Sequence, residues 1–164
     1  LLKLKKDKKW LLHERGAIGN RNEEITINVS KNSVSSSVLP IKDSHLSAAP
    51  TSVFISKEKV PMFKLDSISK RYLKDSSKLF IKIDTQGYEW EVLDGARHTI
   101  SRAIGIICEL SLVPLYNNQH LWREIIDRLE KEGFILWALQ KGLTDPKTGQ
   151  SLQMDAIFVR RDEI

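Results

Sequence analysis

Hydrophobic and polar positions alternate weakly in the first third of the chain and strongly after it. Leu79-Phe80-Ile81-Lys82-Ile83-Asp84 is a nearly continuous apolar run ending in a carboxylate, the pattern of a strand covered on both faces in a parallel sheet. Ile104-Gly105-Ile106-Ile107-Cys108-Glu109-Leu110 repeats that pattern, again with a carboxylate near its end. Between the two runs, Tyr88, Val92, Ala96 and Ile100 recur at helical spacing, and Gly95 weakens or breaks that helix near its middle. Leu121, Trp122, Ile125, Ile126 and Leu129 predict an amphipathic helix that stops at Gly133. Residues 134–139 and 156–160 are two further strands. The link between them, with Asp145-Pro146 and Thr148-Gly149, is too short and polar for a helix, so the pair is expected to be an antiparallel hairpin with a long tip.

Upstream the signals are shorter. Trp10-Leu11-Leu12-His13 is an apolar run closed by Gly16 and Gly19 and reads as a buried strand. Ile25-Thr26-Ile27-Asn28-Val29-Ser30 alternates with period two, as a half-buried strand does. Residues 31–56 turn to Ser, Pro, Asn and Ala and form a long, variable, serine-rich loop, and strand character returns over 60–65. Asp66 is a candidate N-cap for a helix carrying Ile68, Tyr72 and Leu73. The lysine-rich residues 1–9 read as the basic end of a helix. Together these elements predict an open α/β sheet, mostly parallel, with an antiparallel strand near one edge.

Composition narrows the function classes. A chain of 164 residues suits one domain, and no apolar run approaches the roughly 20 residues that span a bilayer, so no membrane role is expected. The net charge of +5 invites a nucleic-acid reading. However, four of those charges sit in residues 1–10, where five lysines face Asp7, which leaves the rest nearly neutral and points away from nucleic acid. The lone Cys108 excludes an internal disulfide, fits a reducing, cytoplasmic setting and reads as an inert core residue, while Trp122 and Trp137 read as core packing. The four histidines show no metal-ligand spacing, and an Asp84–Glu109 magnesium pair is the lesser alternative to no metal. The chain opens on Leu1 with no signal-peptide pattern, which leads us to expect a piece of something longer.

Chemistry concentrates in Lys82-Ile83-Asp84-Thr85-Gln86-Gly87-Tyr88-Glu89. Ligands of open α/β sheets sit beyond the carboxyl ends of the strands, where Asp84 and the turn glycine Gly87 fall. Alternation puts Phe80, Lys82 and Asp84 on one face and Ile81 and Ile83 on the other, so Lys82 needs a partner. A purely structural role, with Asp84 capping the next helix and Lys82 paired to a carboxylate, is equally open from position alone.

Residues 79–89, followed by Glu91-Val92-Leu93-Asp94-Gly95-Ala96, resemble the signature of the FkbM family of S-adenosylmethionine-dependent methyltransferases. Ala17-Ile18-Gly19, Ser35-Ser36-Ser37 and Leu65-Asp66-Ser67-Ile68 follow in the family's order, so the resemblance runs from about Trp10 to Arg160. It implies a class I, Rossmann-like methyltransferase fold with strand order 3-2-1-4-5-7-6, in which residues 10–13 would be the third strand. The family's glycine-rich turn and its first two strands have no counterpart here. The resemblance therefore implies a single partial domain over 1–164, with a free apolar edge at 79–83. It also implies S-adenosylmethionine as cofactor and an acceptor hydroxyl on a small molecule or glycan. Asp84 and Glu109 would be the catalytic pair, as base and as substrate-positioning group, with Glu89 in either role or simply favouring a helix dipole. Ala17, Ser36, Asp84 and Gln86 would lie against the cofactor. The competing expectation is a non-catalytic interaction module that keeps the fold without the cofactor half.

Overall fold

A computed structural model describes residues 9–163. The expected helical end at 1–9 therefore lies, but for Lys9, outside the described residues. The fold is mixed α/β, with two sheets. The first has three strands in the order β1-β3-β2: β1 (Ala17–Ile18), β2 (Glu23–Ser30) and β3 (Phe54–Phe63). The second has four in the order β4-β5-β7-β6: β4 (Leu79–Ile83), β5 (Ala103–Ser111), β6 (Phe134–Lys141) and β7 (Gln153–Arg160). Helices α1 (Asp43–Ala48), α2 (Leu65–Ile68), α3 (Glu89–Asp94), α4 (Arg97–Ser101) and α5 (Trp122–Lys131) complete it.

Alternation along the strands sets the layers. Ile81 and Ile83 of β4, Ile106, Cys108 and Leu110 of β5, and Ala156 and Phe158 of β7 share one face of the larger sheet and are buried. Against them pack Val92 and Leu93 of α3, Ile100 of α4, and Ile125 and Leu129 of α5. Each such aliphatic side chain, fully buried, contributes roughly 1.5–3 kcal/mol. The opposite face carries Lys82, Glu109 and Asp155, which the register sets across neighbouring strands. The helical stretch after β4 is split into α3 and α4 at Gly95, as its sequence predicts. A Cβ there would come within 1.8 Å of the Gly19 carbonyl oxygen, so the split also lets the helix close onto the turn after β1.

Several expectations need correction. Residues 10–13 form no strand. Trp10 and Leu11 are 56% and 70% exposed, and the run packs instead through His13, edge-on to the rings of Phe63 and Tyr72. Strand pairing starts only at Ala17, in parallel with Met62. The loop expected over 31–56 contains α1 and a turn of 3-10 helix at Pro50–Ser52, and β3 begins at Phe54, six residues early. The charged run Lys57-Glu58-Lys59 hides that strand: its side chains lie outside, paired for example as Lys59–Glu24 at 3.0 Å and Arg15–Glu58 at 2.6 Å. The larger sheet is not mostly parallel among the described residues. Only β4–β5 is a parallel pair, while β5–β7 and β6–β7 are antiparallel, the last being the expected hairpin. Strand β4 is covered on one face only, which leaves Phe80 49% exposed. Trp137 is not core: it stands at the bulge between Leu136 and Ala138 and is 59% exposed.

Candidate active site

The parallel pair β4–β5 ends with Ile83 opposite Cys108, so the next residues along, Asp84 and Glu109, emerge side by side at the carboxyl ends of two adjacent strands. After Asp84 the backbone turns through two consecutive left-handed residues, Gln86 at φ 55° and Gly87 at φ 94°. A glycine suits the second, where a Cβ would also press to 2.9 Å from the Tyr116 ring. A non-glycine residue at the first is uncommon and needs support from its surroundings. That support is visible. The Gln86 carbonyl accepts from Ser37 Oγ at 2.7 Å, and Glu89 Oε1 folds back under the turn to accept from Thr85 N (3.0 Å), Thr85 Oγ1 (3.2 Å) and Gly87 N (3.1 Å). Glu89 is only 4% exposed, and burial raises its pKa against the pull of these bonds.

The turn aims the Gln86 side chain between the two carboxyl groups. Its Nε2 donates to Asp84 Oδ1 at 3.0 Å and to Glu109 Oε2 at 2.7 Å, and its Oε1 accepts from the Tyr116 hydroxyl at 2.9 Å. Gln153 Nε2 donates a second bond to Glu109 Oε2 at 2.9 Å. Lys82 Nζ donates to Asp84 Oδ2 at 2.9 Å, which resolves the cost of a lysine in this strand and, with the field of Asp84, raises the lysine pKa. Burial, then the charges of Asp84, Glu89 and Asp155, push Glu109 up to about 8. At neutral pH Glu109 therefore holds its proton, beside the Asp84 carboxyl group that Lys82 engages. Burial also raises the Tyr116 phenol, which keeps it a hydrogen-bond donor.

Asp84, Gln86, Glu109 and Gln153 form one wall of a cavity of about 390 Å³, whose other walls include Asn32, Ser35, His45, Ser52 and Leu143. Of the residues singled out from sequence, Asp84, Gln86 and Glu109 meet here. Ser36 does not line the cavity: its hydroxyl accepts from Ser30 N and donates to Ser33 O, closing a local turn, and Ser35 faces the cavity in its place. Ala17 lies in β1 against Met62, also outside the cavity lining. Sequence reasoning missed Gln153, Tyr116 and His45. Gln153 had a signal, because it shares a strand face with Asp155, which stands opposite Glu109. Tyr116 and His45 sit in irregular or short segments with no local pattern to mark them.

The described residues do not form a glycine cradle for a nucleotide-type cofactor. A Cβ on Gly16 would strike the Pro61 carbonyl at 2.6 Å, and one on Gly19 would strike Met62 Sδ at 2.6 Å, so protein fills both spaces. A broader surface cleft of about 730 Å³ lies along α3–α5, but its arginines are held by the fold. Arg128 pairs with Asp94 (3.1 Å) and Glu132 (3.0 Å), and Arg160 donates to the carbonyls of Ile100, Ala103 and Glu132. Among the described residues no helix is long and apolar enough to cross a membrane. The family model described as methyltransferase FkbM domain matches residues 1–136, a stretch that includes Asp84, Gln86 and Glu109. No curated protein and no solved structure matches the chain.

Proposed function

Because the chain belongs to the FkbM methyltransferase domain family, we propose that it carries the acceptor side of an S-adenosylmethionine-dependent O-methyl transfer to a hydroxyl of a small molecule or glycan. The observation that carries this reading is the Asp84–Gln86–Glu109 cluster at the carboxyl ends of β4 and β5, open to a cavity. The order β4-β5-β7-β6, with β7 antiparallel to its neighbours, supports it, being the order expected for the last four strands of such a domain. The spaces at Gly16 and Gly19 are closed, so neither glycine cradles the cofactor, and the roles given to Asp84 and Glu109 concern the acceptor. Asp84 is the carboxylate placed to accept a hydroxyl proton or hydrogen bond, while protonated Glu109 orients the acceptor by donating one.

Incubation with methyl-labelled S-adenosylmethionine and a panel of hydroxylated acceptors tests the reading. Label should pass to an acceptor oxygen, and Asp84→Asn should slow that transfer by about a hundredfold or more. The closed glycine spaces favour a second reading, a non-catalytic binding module. Folded protein that gives no calorimetric heat with S-adenosylmethionine and transfers no label would establish that second reading in place of the first.

A further inference from the structure

Resting on the acceptor reading above, we propose that Gln153 is a positioning residue for Glu109: together with Gln86 it claims Oε2 as a hydrogen-bond acceptor and so leaves the carboxylic proton on Oε1, the oxygen open to the cavity. Gln153 lies beyond residues 1–136, the stretch that the family model matches, so membership of the family assigns it no role. The sheet sets its place. It opens β7 opposite Ser111 and shares a face with Asp155, which stands opposite Glu109. Gln153 and Glu109 are thus diagonal neighbours on adjacent strands, a spacing that a long side chain spans. The backbone there is pinned, with Gln153 N donating to the Leu143 carbonyl at 3.1 Å and the Gln153 carbonyl accepting from Gly142 N at 3.2 Å. Gly142 permits this approach, since a Cβ on it would stand 2.8 Å from the Gln153 carbonyl oxygen. The glutamine itself is buried, so its amide is held in place before any ligand arrives.

The direction of each bond follows from its neighbours. The Tyr116 hydroxyl donates to Gln86 Oε1 at 2.9 Å, so that amide presents both of its N–H bonds to the carboxyl groups. It spends one on Asp84 Oδ1 at 3.0 Å and the other on Glu109 Oε2 at 2.7 Å. Gln153 Nε2 brings a second donor to the same Oε2 at 2.9 Å. A carboxylic acid accepts best through its carbonyl oxygen and donates through its hydroxyl. Two donors on Oε2 therefore select the form with the carbonyl at Oε2 and the O–H at Oε1. Among the described residues Oε1 has no hydrogen-bond partner and is not one of the polar atoms that the fold buries unpaired, which leaves it open to the cavity that Glu109 lines. The ionisable groups around Glu109 are Lys82 and Asp84 of β4, Glu89 of α3, Asp155 of β7, Tyr116 and the cavity-lining His45, and none of them bonds to Oε1. The proton is thus given to a ligand oxygen rather than back to the protein.

Infrared difference spectroscopy from below to above the Glu109 pKa of about 8 reads the carbonyl stretch of the protonated acid, and the band missing from Glu109→Gln is the one to follow. A hydrogen bond to the carbonyl oxygen lowers this stretch, so losing one raises it. Gln153→Met, which keeps the length but has no N–H, should move the Glu109 band to higher wavenumber. It should also raise the Glu109 pKa by about one unit, tenfold in proton affinity, because the ionised form loses a donor as well. In the wild-type protein, the side-chain amide resonances of Gln153 should shift with the same midpoint as that band. A Glu109 band unmoved in folded Gln153→Met would overturn the proposal, and so would a Gln153 amide that stays still through the titration. The wild-type amide decides the matter if the variant does not fold. None of these measurements uses a methyl donor. A chain whose band moves but that transfers no label loses only the catalytic reading, and one that methylates an acceptor with the band unmoved in the variant loses only this inference.

Discussion

The Gln86 amide touches both carboxyl groups of the cluster, with two N–H donors and no charge. It can align Asp84 and Glu109 but cannot neutralise either, so burial first, and the neighbouring acidic groups after it, keep a proton on Glu109 until about pH 8. The consequence for stability has a definite sign. Below pH 4.5, the ordinary glutamate value, the folded and unfolded chains both carry the proton. Between there and about 8 only the folded chain keeps it, so stability falls as pH rises through that window and levels off above it. Glu109→Gln removes this dependence and should make the protein more stable than wild type at pH 8.5, by on the order of 3 kcal/mol. Urea unfolding followed by tryptophan fluorescence from pH 5 to 9 measures it, and a wild-type curve already flat over that range would contradict it. Glu89, also raised, adds a slope of the same sign that remains in the variant. Glu89 has a separate structural task under the Thr85–Gly87 turn. Glu89→Ala strands two buried backbone N–H groups and should cost about 2–4 kcal/mol, whereas Glu89→Gln, which keeps an acceptor oxygen, should cost clearly less. Equal losses in the two variants would mean that volume rather than hydrogen bonding holds the turn.

At the scale of elements, α4 shows how a short helix is held from outside. It has only five residues and no side-chain cap of its own. Asp66, on α2, accepts from His98 N (3.0 Å), Thr99 N (2.7 Å) and Thr99 Oγ1 (2.7 Å) and so serves as a cap in trans. Although burial pushes the other way, these bonds bring the Asp66 pKa below its ordinary value, so its contribution is lost as pH falls through the acid range. Asp66→Ala should destabilise by about 1–2 kcal/mol and raise amide exchange in α4 first. Exchange rising uniformly across the sheet instead would place the role of Asp66 elsewhere. The sequence marked Asp66 as a cap but attached it to the wrong helix, because its partners lie more than thirty residues away. The same distinction runs through the fold. The strands at 79–84 and 104–110, the break at Gly95, the amphipathic α5 and the closing hairpin were legible because each is written in the spacing of consecutive residues. The first half of β3 was not, since Lys57-Glu58-Lys59 becomes a strand only by pairing with β2. In the site, Asp84, Gln86 and Glu109 were legible from strand ends and family likeness. Gln153 and His45 reach the cavity, and Tyr116 reaches the Gln86 amide behind it, through tertiary register and loop packing, which no local pattern records.

For the whole molecule, the larger sheet has two differently finished borders. At one, β6 carries the bulge at Trp137, a device that disrupts further pairing. At the other, β4 ends the sheet among the described residues, in regular register from Phe80 to Ile83 after a shift between Leu79 and Phe80, and beside it runs an apolar groove of about 390 Å³ lined by Leu11, Ile18, Leu73 and Leu79 among others. Phe80, half exposed on the outer face of this strand, lies over Gly105, whose missing side chain makes room for the ring. A straight apolar edge with unpaired backbone groups is a template for another strand, and Lys82 is the only charge on it. The protein should therefore self-associate as its concentration rises, through β4 rather than through the charged cleft along α3–α5, where the arginines are already paired. Phe80→Lys places a second charge on the same face of the strand, two residues from the first, and leaves Ile81 and Ile83 in the core undisturbed. Sedimentation velocity across a hundredfold concentration range should show wild type shifting to larger species while Phe80→Lys remains monomeric, with the weakest association of wild type at low salt unchanged in sign at high salt because the contact is apolar. If wild type stays monomeric throughout, or Phe80→Lys associates equally well, the β4 edge is not the adhesive surface.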